Sequence, residues 1–365
     1  MSSPWSSAGR HRATTTRPTA AGAPAVRMPR VYDRGVADRM APPGVGFTFT
    51  PDRRIGDLPR VAREAEELGF DQLWLWEDCF LSGGIATSAT ALAAGTTITV
   101  GLGIMPAVFR NVAATAMEVA TLANLYPGRF LAGLGHGMAG WMDQIGALPE
   151  RPVRQLEEAT VALRALLAGG CVTQHGDYVR LRDVQLAMPP PEPPPVLLGV
   201  RRPFGLRASG RSADGTILAE PTPPAYLRAA REQIDRGRAA AARIDDHLIV
   251  AFVRTRLDPD RSQIRQVVAA DLLSGATAAH LEHLGRDDEL ARLRALGDRD
   301  AVAHAIPDDL LDVLTASGDA EAVTRSRPAI AAAGADVLVL IPHGDDPDDQ
   351  LSALARDVLP ALRTA

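Results

Sequence analysis

From Gly44 onward the chain repeats one pattern: a short apolar run, a loop carrying Gly or polar residues, then a stretch whose apolar positions recur at helical spacing. Eight runs read as strands, at 45–50, 71–76, 98–103, 129–134, 195–200, 215–219, 248–254 and 336–341. They are almost uniformly apolar rather than alternating, as strands covered on both faces of a parallel sheet must be. Helices are predicted between them at 58–68, where Leu58, Val61, Ala62, Ala65 and Leu68 share a face, and at 112–125, 153–167, 225–242 and 320–333. Gly334 ends the last of these as a C-cap.

Eight parallel strands with intervening helices fit an α/β chain folded as a single (β/α)8 TIM barrel, closed by right-handed crossovers; a doubly wound sheet is the alternative. Two stretches fall outside the repeat. Residues 172–195 are polar and then proline-rich, an irregular or hairpin-like insertion with an extended exit. Residues 260–317 read as several short helices, 271–284 and 288–296 among them, inserted after the seventh strand and so at the C-terminal mouth, as lid candidates.

All 39 basic residues are Arg. Schiff-base chemistry, Lys-anchored pyridoxal phosphate and a P-loop Lys are therefore excluded. A formal net charge of −5 gives no general attraction to nucleic acid or to an anionic membrane. No apolar run approaches the roughly 18 residues of a membrane-spanning helix. Cys79 and Cys171 are too few and too far apart for a Cys-rich zinc site and suit a reduced cytoplasm. His280 and His283 read as a solvated helix face, and no metal is expected. The acidic run Asp345, Asp346, Asp348 and Asp349 reads as a helix N-terminal cap. Residues 1–43 carry seven Arg against Asp33 and Asp38 and lack apolar periodicity. They read as a disordered tail, with a transit peptide or a start at Met28 or Met40 as other readings.

In a barrel, chemistry gathers at the C-terminal ends of the strands. These positions are Glu77, Asp78 and Cys79 after the second strand, Gly103, Ile104 and Met105 onward after the third, and Gly135 to Gly140 after the fourth. Gly199, Val200, Arg201 and Arg202 follow the fifth, and Ala219 and Glu220 the sixth. Glu77 and Asp78 read as proton carriers or, more plainly, as helix N-caps or paired surface acids. Gly135-His136-Gly137-Met138-Ala139-Gly140 has the form G-x-G-x-x-G, but no second strand ending in an acid follows at dinucleotide-fold spacing. These glycines read instead as letting a flat ring or a phosphate approach the backbone. His136 is either a ligand contact or a loop partner. Gly199 to Pro203 ends a strand and opens a helix, which is an anion site unless the arginines merely face solvent.

With these positions in hand, the chain resembles the bacterial luciferase-like monooxygenase superfamily and, within it, the branch that uses the deazaflavin coenzyme F-420. The resemblance rests on Glu67-Leu-Gly-Phe-Asp-Gln-Leu-Trp-Leu-Trp-Glu-Asp78, Gly101-Leu-Gly-Ile-Met-Pro106, Tyr126-Pro-Gly-Arg-Phe130, Gly133-Leu-Gly-His-Gly137 with Trp141, Ala213-Asp-Gly-Thr-Ile217 and Ala333-Gly-Ala-Asp336. It covers about residues 44–363. It implies a barrel with the tricyclic cofactor in the mouth and a non-prolyl cis peptide at Gly103–Ile104. Glu77 and Asp78 would then lie near the reactive ring, Gly135 to Gly137 beside the cofactor, and Arg201 with neighbouring amides at its phosphate. Two departures stand out. Arg202-Pro203-Phe204 replaces the usual Gly-Pro-Lys, and Glu77-Asp78 replaces a common Asp-His.

The expected activity is hydride transfer between F-420 and a small organic substrate, with catalytic Glu77, Asp78 or His136. Cofactor contacts are expected from Gly103, Ile104, Met105, Gly135, His136, Gly137, Gly199, Val200, Arg201, Arg202, Ala219 and Glu220. The alternatives are a monooxygenase using reduced FMN and oxygen, and a non-catalytic cofactor-binding barrel. A homodimer and a cytoplasmic location complete the expectation.

Overall fold

The computed structural model describes residues 44–364, so the predicted tail at 1–43 lies outside the described residues. Its strands are β1 (Gly44–Thr48), β2 (Gln72–Leu75), β3 (Thr99–Pro106), β4 (Phe130–Gly135), β5 (Val172–His175), β6 (Arg180–Val184), β7 (Val196–Gly199), β8 (Gly215–Leu218), β9 (Leu248–Leu257), β10 (Thr315–Gly318) and β11 (Val337–Pro342). Eight of them pair in parallel as a ring, β1-β2-β3-β4-β7-β8-β9-β11, and β11 closes on β1 from Gly44–Val337 to Phe47–Leu340. Closure excludes the doubly wound alternative, and each ring strand overlaps one of the eight predicted runs.

The uniform apolarity of these strands has a direct cause. On β11, Val337, Val339 and Ile341 point into the barrel with Trp74, Leu131, Leu197, Ile217, Val250 and Phe252. Leu338 and Leu340 point out, into the layer shared with the helices. Trp74 fills the barrel centre, edge-on to Phe252 at 5.4 Å. A Cβ on Gly101 would stand 2.5 Å from its ring, so that strand position must be glycine.

The N-terminal rim is held by three aspartates that sit just before ring strands. Asp71, Asp214 and Asp336 each accept a backbone N–H near the start of the neighbouring strand, from Val45 (2.8 Å), Val196 (3.0 Å) and Ile249 (2.8 Å). Asp214 also takes two bonds from the buried Arg164, at 2.6 and 3.0 Å. Several motifs behind the family resemblance are thus scaffold, at the end of a barrel where stability rather than chemistry resides.

Residues 172–184 form an antiparallel hairpin, β5 with β6. The insertion after β9 carries its own small core, including Ile264, Leu272, Leu290 and Leu310. Four details correct the sequence reading. The predicted helix 271–284 is broken at Gly275, which adopts φ +68° and caps Ser262–Ser274. β10 extends the sheet beyond the ring by pairing with Arg254–Leu257, where β9 runs on past its last pair with β8 at Ala251. A helix at Gly84–Ala94 follows β2. Asp346 occupies the N-cap position of Pro347–Asp357 but makes no capping bond, because its carboxylate pairs with Arg256. Among the described residues no helix is long and apolar enough to cross a membrane, and no cluster of His, Cys, Asp and Glu is placed to hold a metal ion.

Candidate active site

At the C-terminal mouth two cavities meet. The first, about 460 Å³, is lined by Glu77, Asp78, Gly103, Ile104, His136, Gly137, Gly199, Val200, Arg201, Ala219 and Glu220, with Trp76, Pro106, Met138, Trp141, Ile217 and Phe252 adding apolar wall. Its size is within the roughly 300–1,000 Å³ of ligand pockets. The second, about 430 Å³, lies over the ends of β1, β2 and β11 and shares Trp76, Asp78 and Glu220 with the first.

The floor of the first cavity is a bulge in β3. The register against β4 shifts between Leu102 and Met105, and the Gly103–Ile104 peptide is cis, at the bond the resemblance implied. The Ile104 carbonyl accepts the Glu77 N–H at 2.9 Å, tying β2 to the bulge. The Ile104 side chain lies against Gly135 and Gly199, where a Cβ would meet it at 2.6 and 2.5 Å. The glycine requirement at both positions is therefore met by Ile104, not by a ligand. Gly137 has φ +70°, which favours glycine on backbone grounds alone.

Three predicted cofactor contacts are absent from this cavity wall. Met105 is buried in the outer helix layer. Gly135 is covered by Ile104. Arg202 is exposed at the N-cap of the helix Pro203–Ser212.

The two adjacent acids have different surroundings. Glu77 is 6 % exposed. Its carboxylate accepts two bonds from Arg110, at 2.7 and 2.8 Å, and one from the Gly84 N–H at 2.9 Å. Asp78 sits on the seam between the cavities, with Oδ2 accepting the Trp76 indole N–H at 3.0 Å. Burial pushes its carboxyl pKa up, the Trp76 bond offsets part of the rise, and the Asp52 charge adds to it.

Glu220 faces the same seam. Burial pushes it up as well; Arg254 at 3.6 Å opposes this, while Asp271 and Asp78 reinforce it. Arg254 was read from the sequence only as the end of a strand. It holds Asp271 at 2.7 Å and donates to His343 Nε2 at 3.0 Å. Since a guanidinium can only donate, His343 carries its proton on Nδ1. Burial and Arg254 lower its pKa to about 3, so the ring is neutral.

The rim after β7 is organised by the helix Pro203–Ser212. Its first intrahelical bond runs from the Leu206 N–H to the Arg202 carbonyl, which leaves Phe204 and Gly205 N–H without helical partners. Arg201 donates to the Ala276 carbonyl at 3.0 Å, and its own carbonyl accepts the Tyr226 hydroxyl at 3.0 Å. The Tyr226 ring packs against His280, tilted by 38° with centroids 4.5 Å apart. His280 is wholly buried and its pKa is lowered to about 3, chiefly by burial, so the expectation of a solvated His280–His283 face is corrected for His280. The helical insertion is thereby fastened to the loop after β7. His136 is partly buried, which lowers its pKa, and Arg201 lowers it further.

The family model of luciferase-like monooxygenases matches residues 37–337. The chain belongs to this family. A luciferase-like relative, the 5,10-methylenetetrahydromethanopterin reductase of Archaeoglobus fulgidus, is 26% identical over 332 residues, covering 87% of this chain and 99% of the reductase. The F-420-dependent glucose-6-phosphate dehydrogenase of Intrasporangium calvum is 31% identical over 322 residues, covering 82% of this chain and 92% of that enzyme. Among solved luciferase-like structures, the F-420-dependent tetrahydromethanopterin reductase of Methanopyrus kandleri superposes with a TM-score of 0.76 at 22% identity, covering 88% of this chain and all of that one.

Proposed function

We propose that this luciferase-like barrel is an oxidoreductase that moves a hydride between coenzyme F-420 and a small organic substrate. The observation that carries the reading is the apolar first cavity, floored by Ile104 and bordered by Asp78, a carboxyl group whose pKa is raised at the edge where a substrate would enter. The relatives named for F-420 support the choice of cofactor.

The residues present fit that cofactor. Ile104, Val200, Ile217, Phe252 and Trp141 offer apolar walls to a flat ring and exclude water from it. The free N–H groups of Phe204 and Gly205, with Arg201 and Arg202 alongside, suit its phosphate. When bound, the deazaflavin supplies or accepts the hydride. In the reducing direction Asp78 gives a proton from Oδ1 to the substrate oxygen, so that a carbonyl gains hydride and proton and becomes an alcohol. In the oxidising direction Oδ1 takes that proton back. Glu77, already holding Arg110 and the Gly84 N–H, acts as a positioning residue for the wall.

A homodimer in the cytoplasm is the finer part of the proposal; sedimentation of the purified chain tests the dimer. Anaerobic mixing with F-420 and a panel of secondary alcohols tests the chemistry. Substrate-dependent loss of the oxidised deazaflavin absorbance is expected. Oxygen-dependent product formation with reduced FMN alone would replace the proposal with a monooxygenase.

A further inference from the structure

His343 is the first residue beyond β11 and lines the second cavity together with Asp78. Its backbone is pinned on both sides: the N–H donates to the Thr255 carbonyl at 3.0 Å, and the carbonyl accepts Arg256 Nη1 at 2.8 Å. The ring is fixed as well. Asp271, on the insertion helix Ser262–Ser274, holds Arg254 at 2.7 Å, and Arg254 Nη1 donates to His343 Nε2 at 3.0 Å.

That last bond decides where the imidazole proton sits. Nε2 has to accept, so the neutral ring carries its proton on Nδ1. Among the described residues Nδ1 makes no hydrogen bond, and it is not closed off in the interior as the unbonded ring nitrogens of His136, His247 and His280 are. Asp52, the carboxylate whose charge acts on this ring, is exposed and makes no bond to it. Burial and the Arg254 charge disfavour the imidazolium. The cavity wall thus includes a residue with an accessible N–H donor on an uncharged ring. Such a donor can bond an oxygen that gains negative charge and still keep its proton.

We infer that His343 Nδ1 is the hydrogen-bond donor to the carbonyl or hydroxyl oxygen of the substrate, held in the second cavity, and that Arg254 is a positioning residue that fixes the imidazole tautomer. The inference rests on the proposed hydride transfer and deepens it: the oxygen that exchanges a proton with Asp78 accepts the His343 N–H at the same time. His343 gives up no proton, so a carbonyl still gains one hydride and one proton to become an alcohol.

NMR of isotope-labelled histidine rings in the full chain without cofactor tests this, the His343 signals being identified by their loss in His343→Gln. Expected are protonation at Nδ1, no titration between about pH 5 and 8, and a shift of the Nδ1 signal with cyclohexanone but not with methylenecyclohexane, which has a similar shape and no acceptor oxygen. Protonation at Nε2, titration within that span, or a response that is equal for both probes or absent for both overturns the inference. Arg254→Met is expected to move part of the proton to Nε2. A folded Arg254→Met chain with the wild-type tautomer removes Arg254 from its role, and the wild-type spectrum decides the donor whether or not that variant folds. Kinetics with F-420 and the alcohol panel give a second readout. His343→Phe is expected to lower kcat by about 10²-fold with F-420 affinity near wild type, and His343→Gln, which keeps an N–H, to recover most of the loss. Wild-type kcat in His343→Phe also overturns the inference. A ketone-dependent shift without turnover of any alcohol defeats the proposed function and leaves the donor standing; turnover with an unmoved Nδ1 signal defeats only the donor.

Discussion

Glu77 and Arg110 form a two-bonded ion pair, with Oε1 2.7 Å from Nη2 and Oε2 2.8 Å from Nη1, across 33 residues of sequence. The pair joins the end of β2 to the loop after β3, and the Gly84 N–H on the same carboxylate adds the start of the next helix. One of two adjacent acids is thus spent on the wall, while its neighbour remains open to the cavity.

Truncation of Glu77 should therefore act first on stability. Breaking a fully buried pair costs roughly 3–5 kcal/mol. Arg110 is 23% exposed, so Glu77→Ala is expected to lower the unfolding free energy by about 2–3 kcal/mol in urea titrations. Arg110→Met should cost a similar amount, and the double variant less than the sum. Full stability with abolished turnover in Glu77→Gln would make Glu77 a catalytic acid instead.

Asp78→Asn should leave the urea midpoint near wild type and lower kcat by about 10²–10⁴-fold. The sign of the pH dependence follows from the raised carboxyl. Carbonyl reduction needs the protonated acid, so its rate falls as pH rises through that pKa. Alcohol oxidation needs the carboxylate, so its rate rises over the same span. Either limb should vanish in the Asn variant.

Glu66 offers a pH test of the scaffold. Burial acts to raise its pKa, but donors from Thr96 and Thr97 overcome this and bring it to about 2, from an ordinary 4.5. The group binds its proton more weakly when folded. Its stabilisation is therefore present above pH 4.5 and is lost as pH falls toward 2. The difference in unfolding free energy between wild type and Glu66→Gln should shrink over that interval; a constant difference would contradict the assignment.

Gly199→Ala places a methyl 2.5 Å from the Ile104 side chain. Overpacking of this kind costs about 1–3 kcal/mol. Weakened F-420 binding is expected, with substantial recovery in the Gly199→Ala, Ile104→Ala double variant, as measured by ligand fluorescence. No recovery would mean that Gly199 serves the ligand directly.

The barrel was readable because each strand is buried on both faces and so appears as an apolar run. The helix Gly84–Ala94 was hidden by its composition: small residues surround its axis and no apolar stripe marks it. β10, with the sequence Thr-Ala-Ser-Gly, has no apolar run and is a strand only because β9 extends past β8. At the mouth, strand ends located Asp78, Ile104 and Glu220. The contrast between Glu77 and Asp78 was not readable, since it depends on Arg110 and Trp76 reaching them in space. His343 could have been found by treating the end of the last ring strand as the others were treated.

Binding of F-420 and of FMN to the full chain, each titrated alone and followed by ligand fluorescence, is the most direct measurement. F-420 should saturate at one per chain and bind at least tenfold more tightly than FMN, and Ile104→Asp should weaken it. Tighter binding of FMN, or no binding of either, would contradict the assignment of the mouth to a deazaflavin.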